Sequence, residues 1–203
     1  MARIFVCKGD LPTDVVFKGS VAVDTETMGL NLHRDRLCVV QLSDGKGNAW
    51  LIQLTPDTDC VNLKKILTDP DLLKIFHYAR FDVAKIYADL GVWTTPVYCT
   101  KIASKLCRTS APHHGLKALC QDLLNITLCK EQQTSDWGSD VLTAEQQKYA
   151  ANDVLYLHDL KEKLDKLLQR EGRAELAQCC FDFMKTRAML DLLDFNMPDV
   201  FEH

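Results

Sequence analysis

Two carboxylates close an apolar run in "VAVDTETMGL" (residues 21–30), where Asp24 and Glu26 stand two positions apart directly after Val21, Ala22 and Val23. Side chains two apart on an extended segment share a face, so both acids aim the same way at the end of a buried strand. Burying one charge is costly, and two like charges side by side cost more unless a cation sits between them. A third acid, Asp82, lies in "FHYARFD" (76–82), in the first turn of a helix that follows a buried strand. A fourth, Asp153, lies in "YAANDVLYLHDL" (149–160), four residues after Tyr149, so the phenol and the carboxylate stack on one helical face. Each acid alone has a plain structural explanation. Asp24 and Glu26 fit a strand end entering a turn, Asp82 fits a first-turn acid complementing the helix dipole, and Asp153 with Tyr149 fits a solvated helix edge. Their joint occurrence at the ends of buried elements points to divalent metal. Hard cations take carboxylate, water and phosphate oxygens, and two ions roughly 3.5–4 Å apart clamp an in-line phosphodiester cleavage.

The elements that must position these acids change character along the chain. Val21 to Asp24, "RLCVVQLS" (36–43) and "AWLIQL" (49–54) read as strands with short links, the second link being "SDGKGN" (43–48). Together they predict an antiparallel meander. "NLKKIL" (62–67) has helical spacing and stops before Asp69-Pro70, "LLKIFHY" (72–78) is a short apolar strand, "ARFDVAKIYADLG" (79–91) is a helix ending at Gly91, and "PVYCT" (96–100) is another short strand. The remainder reads as helical. The Asp153 helix starts at Thr143 with Gln146 three residues on, a capping-box pattern, and Ala150, Val154, Leu157, Leu164 and Leu168 form its inward stripe. A meander, then βαβ, then helices predicts one α/β domain over 1–203 with a mixed sheet flanked by helices. The last ten residues, "DFNMPDVFEH", fit either a docked or a frayed tail.

Composition narrows the class. The chain has 203 residues, 47% hydrophobic and 26% charged, ordinary for one globular domain with a sizeable core. No apolar run reaches the roughly 18 residues needed to span a membrane, and "MARIFVCKGD" lacks a leader-type apolar stretch, so the expectation is a cytoplasmic protein with no membrane partner. Nine cysteines, an odd number without a CxxC pair, fit neither a zinc site nor a disulfide framework. Cys38, Cys99, Cys120 and Cys179 are expected as reduced core fillers. The net charge of −4 argues against a long electrostatic footprint and for a short nucleic-acid substrate.

Three segments carry a resemblance. "DTET", "HYARFD" and "YAANDV" resemble, in order, the motifs of the DEDD superfamily of 3′-5′ exonucleases in its tyrosine-containing, RNase D-like branch. The segment "KEQQTSDWGSDVLTAEQQKYAANDVLYL" (130–157) is similar to RNase D almost throughout, and the likeness covers about 20–170. The chain departs from RNase D in being too short for the C-terminal RNA-binding domains. It also departs in "DTETMGL", whose Gly-Leu is similar to the base-wedging segment of oligoribonuclease. A compact chain with this feature resembles the nanoRNase C family.

That resemblance implies a ribonuclease H-like fold, two divalent metal ions (Mg²⁺ or Mn²⁺), and hydrolysis of very short, 5′-phosphorylated RNA to nucleoside 5′-monophosphates. It also implies a ring-shaped homo-oligomer, an octamer, with C-terminal helices over about 171–203 in the contacts. Asp24, Glu26 and Asp153 would bind the ion that holds the attacking water. Asp24 would bridge to the second ion, with Asp82 in support and Tyr149 orienting the water. Thr25, Met28, Gly29 and Leu30 would lie against the substrate, Leu30 as a wedge between bases; otherwise Leu30 reads as a core leucine at a turn exit. His77 and Tyr78 flank the second motif and would meet the terminal nucleotide, His77 being otherwise a strand-end histidine. The loop "RTSAPHHGLK" gathers Arg108, Ser110, His113, His114 and Lys117, either a 5′-phosphate cap or a solvated loop. Trp137 in "SDWG" reads as a stacking residue or, as the favoured alternative, a core plug beneath the active-site loop. The rival readings are a general 3′-5′ exonuclease on longer RNA or on DNA, and an inactive nucleic-acid-binding scaffold.

Overall fold

The run Leu37–Ser43, LCVVQLS, is buried at every position, as expected of a strand covered on both faces. The rest of the sheet is laid out around it. The computed structural model describes residues 2–55, 58–128, 135–195 and 198–202. Six strands, β1 (Arg3–Lys8), β2 (Ser20–Thr27), β3 (Leu37–Ser43), β4 (Asn48–Gln53), β5 (Leu73–Phe76) and β6 (Val97–Cys99), form one sheet in the order β1-β4-β3-β2-β5-β6. β2, β3 and β4 are the expected antiparallel meander, while β5 joins β2 and β6 joins β5 in parallel. The parallel additions require crossovers, supplied by α1 (Val61–Thr68) between β4 and β5 and by α2 (Ala79–Leu90) between β5 and β6.

β1 is an element that sequence reading missed. It pairs parallel to β4 at the sheet edge, and Phe5 and Val6 are exposed. A six-residue edge strand that is at best half-buried has no long apolar run to announce it. Helix α2 ends as predicted: Gly91 adopts φ 71°, and its N–H donates to Tyr87 O. After β6 the chain is helical: α3 (Thr100–Cys107), α4 (Leu116–Leu119) running into a wide turn at Cys120–Leu124, α5 (Ala144–Leu155), α6 (Leu157–Arg170), α7 (Ala174–Asp182) and α8 (Met184–Leu192). The stripe of Ala150, Val154, Leu157, Leu164 and Leu168 is buried, but it spans two helices. The break is at Tyr156, with φ −105° and ψ 0°. Cys38, Cys99 and Cys120 are buried as expected, whereas Cys179 is exposed on α7. The outward turn of α7 at that position corrects its assignment to the core. Positions 130–134 of the RNase D-like segment lie outside the described residues. The described part of the C-terminal tail is docked: Asp199 pairs with Arg187 at 2.7 Å, and Phe201 packs on Phe183 with ring centroids 5.8 Å apart. Among the described residues no helix is long and apolar enough to cross a membrane.

Candidate active site

The C-terminal end of β2 is where the acids meet. Asp24 and Glu26 point to one face of the strand, and a register shift after Glu26 ends the regular pairing with β3. Such a bulge bends a strand and re-aims the side chains beside it. Helix α5 supplies Asp153. Its start is fixed by the predicted capping box: Thr143 Oγ1 accepts from Gln146 N at 3.2 Å, and Gln146 Oε1 accepts from Thr143 N at 2.8 Å. Gln146 Nε2 also donates to Asp136 O at 3.0 Å, tying the preceding loop to the helix. Carboxylate oxygens of Asp24, Glu26 and Asp153 lie within 4.8 Å of one another.

The electrostatics of this trio are those of like charges crowded in a poorly solvated place. Burial first, then the charges of Asp82, Asp153 and Glu26, push Asp24 well above the usual carboxylate range. Burial together with Asp153 and Asp82 pushes Glu26 to about 9. Asp153 rises to about 7 through burial, with the Tyr149 phenol holding it down by a hydrogen bond. Tyr149 is itself pushed far up by burial and by the neighbouring acids, so its proton stays on the phenol. Three hard oxygen donors that cannot all ionise unaided fit a divalent cation, whose charge reverses this cost.

Asp82 stands outside that trio. It is 5% exposed in α2, and burial raises it to about 7. The Thr25 hydroxyl, on the opposite face of β2 from Asp24, donates to Asp82 Oδ1 at 2.6 Å. His77 ends β5. Thr100 Oγ1 donates its one proton to Phe76 O at 3.1 Å, so the 2.9 Å contact with His77 Nδ1 must be donated by the histidine. That tautomer leaves Nε2 as an acceptor. Burial, with Lys101 nearby, lowers His77 to about 3 and keeps the ring neutral. Tyr78 turns the chain into α2 with φ 69° and is exposed, with Lys101 Nζ 4.0 Å from its ring centre.

The loop after β2 carries Met28, Gly29 and Leu30. Leu30 is 84% exposed and Met28 51%, so neither is a core residue. A Cβ on Gly29 would overlap the Asp35 carboxylate, and one on Gly138 would crowd Met28. Trp137 is a plug, as expected: 2% exposed, in a small cluster with Cys38, Val39, Leu51, Leu142 and Ala150, its ring centre 6.0 Å from that of Tyr149.

The 108–117 segment is divided. Arg108 is paired with Asp122 and donates to Ser104 Oγ at 3.3 Å, while His114 Nδ1 shares that hydroxyl at 2.9 Å. His113, His114 and Lys117 line an open groove of about 620 Å³ with Lys101 and Lys105, whereas Ser110 is exposed beyond it. Thr100, Lys101, Lys105 and Gln41 escaped sequence reasoning. The lysines share a helix with no motif. Gln41 lies directly across from Asp24 on β3, fully buried, its amide atoms without a partner among the described residues. A glutamine inside an otherwise apolar strand is the signal that marks it.

A mixed sheet ending in a clustered acidic trio, with a phenol one helical turn from the third acid, defines a metal-dependent phosphodiesterase-type site on a ribonuclease H-like fold. The family described as 3′-5′ exonuclease matches residues 11–169, and the chain belongs to it. Among solved structures it is similar to Brucella melitensis NrnC bound to pGG, at 48% identity and TM-score 0.95 over 100% of both chains. The same protein with bound Mg²⁺ gives 47% identity and TM-score 0.94 over 99% of both chains. DNA polymerase I of Aquifex aeolicus is 34% identical over 87% of this chain and 28% of its own length. Ribonuclease D of Granulibacter bethesdensis is 31% identical over 75% of this chain and 38% of its own length. The chain thus spans roughly a third of the length of these two longer relatives.

Proposed function

We propose that this chain is a divalent-metal-dependent 3′-5′ exoribonuclease that hydrolyses very short, 5′-phosphorylated RNA, down to dinucleotides, to nucleoside 5′-monophosphates. The observation that carries the reading is the convergence of Asp24, Glu26 and Asp153 at the strand end from which the exposed Leu30 loop departs. The pGG and Mg²⁺ held by the relative at almost half identity over its whole length support both the short substrate and the metal.

Asp24, Glu26 and Asp153 would hold the metal, with Asp82 supporting a second ion. Bound there, the ions supply Lewis-acid stabilisation of the charge that develops on phosphate and leaving oxygen. The Tyr149 phenol, protonated at working pH and one turn from Asp153, orients the attacking water by hydrogen bonding. His77 Nε2 accepts a hydroxyl of the terminal sugar. Leu30 and Met28 meet the bases, and Leu30 stacks between them. Lys101, Lys105, His113, His114 and Lys117 attract the 5′ phosphate, while Arg108, spent on Asp122, shapes the groove from behind. The exposed Leu176, Phe183, Met189, Leu193 and Phe195 support assigning the C-terminal helices to homo-oligomer contacts, which a solution mass measurement checks.

A second reading, a general exonuclease on longer RNA or DNA, is favoured by the openness of the lysine groove and by the ribonuclease D and polymerase relatives. The two separate in one experiment. Purified protein with Mg²⁺ or Mn²⁺ is given 5′-labelled RNAs of two to about seven nucleotides beside a long single strand and a DNA duplex. Rapid loss of the dinucleotide with slow attack on the others supports the first reading. Efficient stepwise shortening of the long strand removes it in favour of the second.

A further inference from the structure

An exposed leucine can recognise a base only if its backbone is held still, because a side chain that is 84% exposed has little packing of its own to fix it. Part of the restraint on the Leu30 loop is local. Asp35, 7% exposed, accepts from Asn31 N at 3.0 Å and from both Arg34 Nε at 2.6 Å and Nη2 at 3.0 Å, and Gly29 lies against its carboxylate. The rest comes from α2. Lys85 is 2% exposed, and its Nζ donates to Leu32 O at 3.1 Å and pairs with Asp89 Oδ1 at 2.6 Å. The other oxygen of Asp89 accepts from Leu37 N at 2.5 Å, at the point where the loop enters β3. One ion pair, its lysine buried and its aspartate partly open to solvent, therefore grips the loop at two main-chain atoms, on either side of Asp35.

A buried lysine is a costly device for holding a loop, and an apolar side chain of similar volume is often as stable. What the pair adds is register. Lys85 and Asp89 follow Asp82 at intervals of three and four residues along the same helix, so α2 sets the Leu30 loop and the Asp82 carboxylate in one rigid frame.

We propose that the Lys85–Asp89 pair is a positioning device for substrate length: it fixes the Leu30 loop at the distance from the acids that suits a two-nucleotide substrate. This rests on the reading of Leu30 as the residue that meets the bases. Neither side chain touches substrate; both act through Leu30.

Lys85→Met and Asp89→Asn are compared with Leu30→Ala and with the Lys85→Met/Leu30→Ala double variant, by steady-state kinetics with Mg²⁺ on a 5′-phosphorylated dinucleotide and on an RNA of about seven nucleotides. Asp89→Asn keeps the shape of the pair and serves if Lys85→Met does not fold. Expected are a rise of about tenfold in KM for the dinucleotide with kcat nearly kept, a much smaller change on the longer RNA, and a double variant no worse than Leu30→Ala alone. A merely structural role would lower kcat on both substrates together and would add to the Leu30→Ala effect, and that result overturns the inference. An unchanged dinucleotide KM in both single pair variants, with Leu30→Ala raising it, also overturns the inference and leaves the Leu30 reading standing. An unchanged KM in Leu30→Ala overturns both.

Discussion

Thr25 and Asp82, 57 positions apart in sequence, are joined by a hydrogen bond of 2.6 Å in which the Thr25 hydroxyl donates to Oδ1. It holds the second-motif carboxylate against the strand that carries the first, and it opposes the burial that pushes Asp82 up to about 7. Replacing Thr25 by Val removes the donor while keeping the shape, so Asp82 should titrate higher still. Activity at neutral pH should fall by about tenfold, on the scale of one charge-assisted bond, and the acid limb of the pH–rate profile should move upward. Thr25→Ser should restore both. A Val variant with an unmoved profile would show that Asp82 is not tuned through Thr25.

Tyr149→Phe tests the phenol separately from the metal ligands. The change keeps the packing on Trp137 and removes only the hydroxyl; Asp153, freed from its hydrogen bond to the phenol, should titrate higher, so Mn²⁺ binding should be kept at high pH and weaken toward neutral pH. The turnover number should drop by about tenfold, the scale of one lost hydrogen bond to the attacking water. Equal kinetics would relieve Tyr149 of that role.

Leu30 is 84% exposed, so Leu30→Ala should leave thermal stability unchanged within about 0.5 kcal/mol. The same change should raise KM for the dinucleotide. A clear fall in melting temperature would mean that the side chain packs in solution, and would favour the plain reading of a core leucine.

The acids also predict how the metal-free protein responds to pH. Folding raises Glu26 to about 9 and Asp82 and Asp153 to about 7, above ordinary carboxylate values. The native state therefore binds more protons than the unfolded chain between about pH 4 and these values, and its stability falls as pH rises through them. In chelator-treated protein the melting temperature should fall from about pH 5.5 to 8. Added Mn²⁺ should raise it by more at the upper end, because ligands must be deprotonated to bind. A flat metal-free curve would contradict the crowding of the trio.

Much of this was legible in the sequence, for reasons that differ by element. β2, β3 and β4 announce themselves as apolar runs separated by turn residues, the end of α2 by Gly91, and the start of α5 by Thr143 and Gln146. The acids were legible because Asp24, Glu26, Asp82 and Asp153 fall at ends and edges of such elements, where a charge needs a reason. β1 was not, because its partner β4 lies 45 positions on in the register and its six residues are at best half-buried. The break at Tyr156 was hidden by an apolar stripe that continues through it. Thr25–Asp82, His77–Thr100 and Lys85–Leu32 are tertiary contacts that no local pattern encodes. Arg108 and Cys179 show the converse. Residue type suggested a phosphate ligand and a core filler, while the fold gave the arginine to Asp122 and turned the cysteine outward.

Hydrolysis is proposed to require the ion held by Asp24, Glu26 and Asp153. The most direct measurement titrates Mn²⁺ calorimetrically into the wild-type protein and into Asp24→Asn, with the same samples assayed on a 5′-labelled dinucleotide. The prediction is a folded variant of near wild-type melting temperature that loses the tightest Mn²⁺ binding and, with it, at least about a thousandfold in rate, the scale of losing a principal electrostatic contributor. An Asp24→Asn protein that binds Mn²⁺ and cleaves as the wild type does would contradict the account.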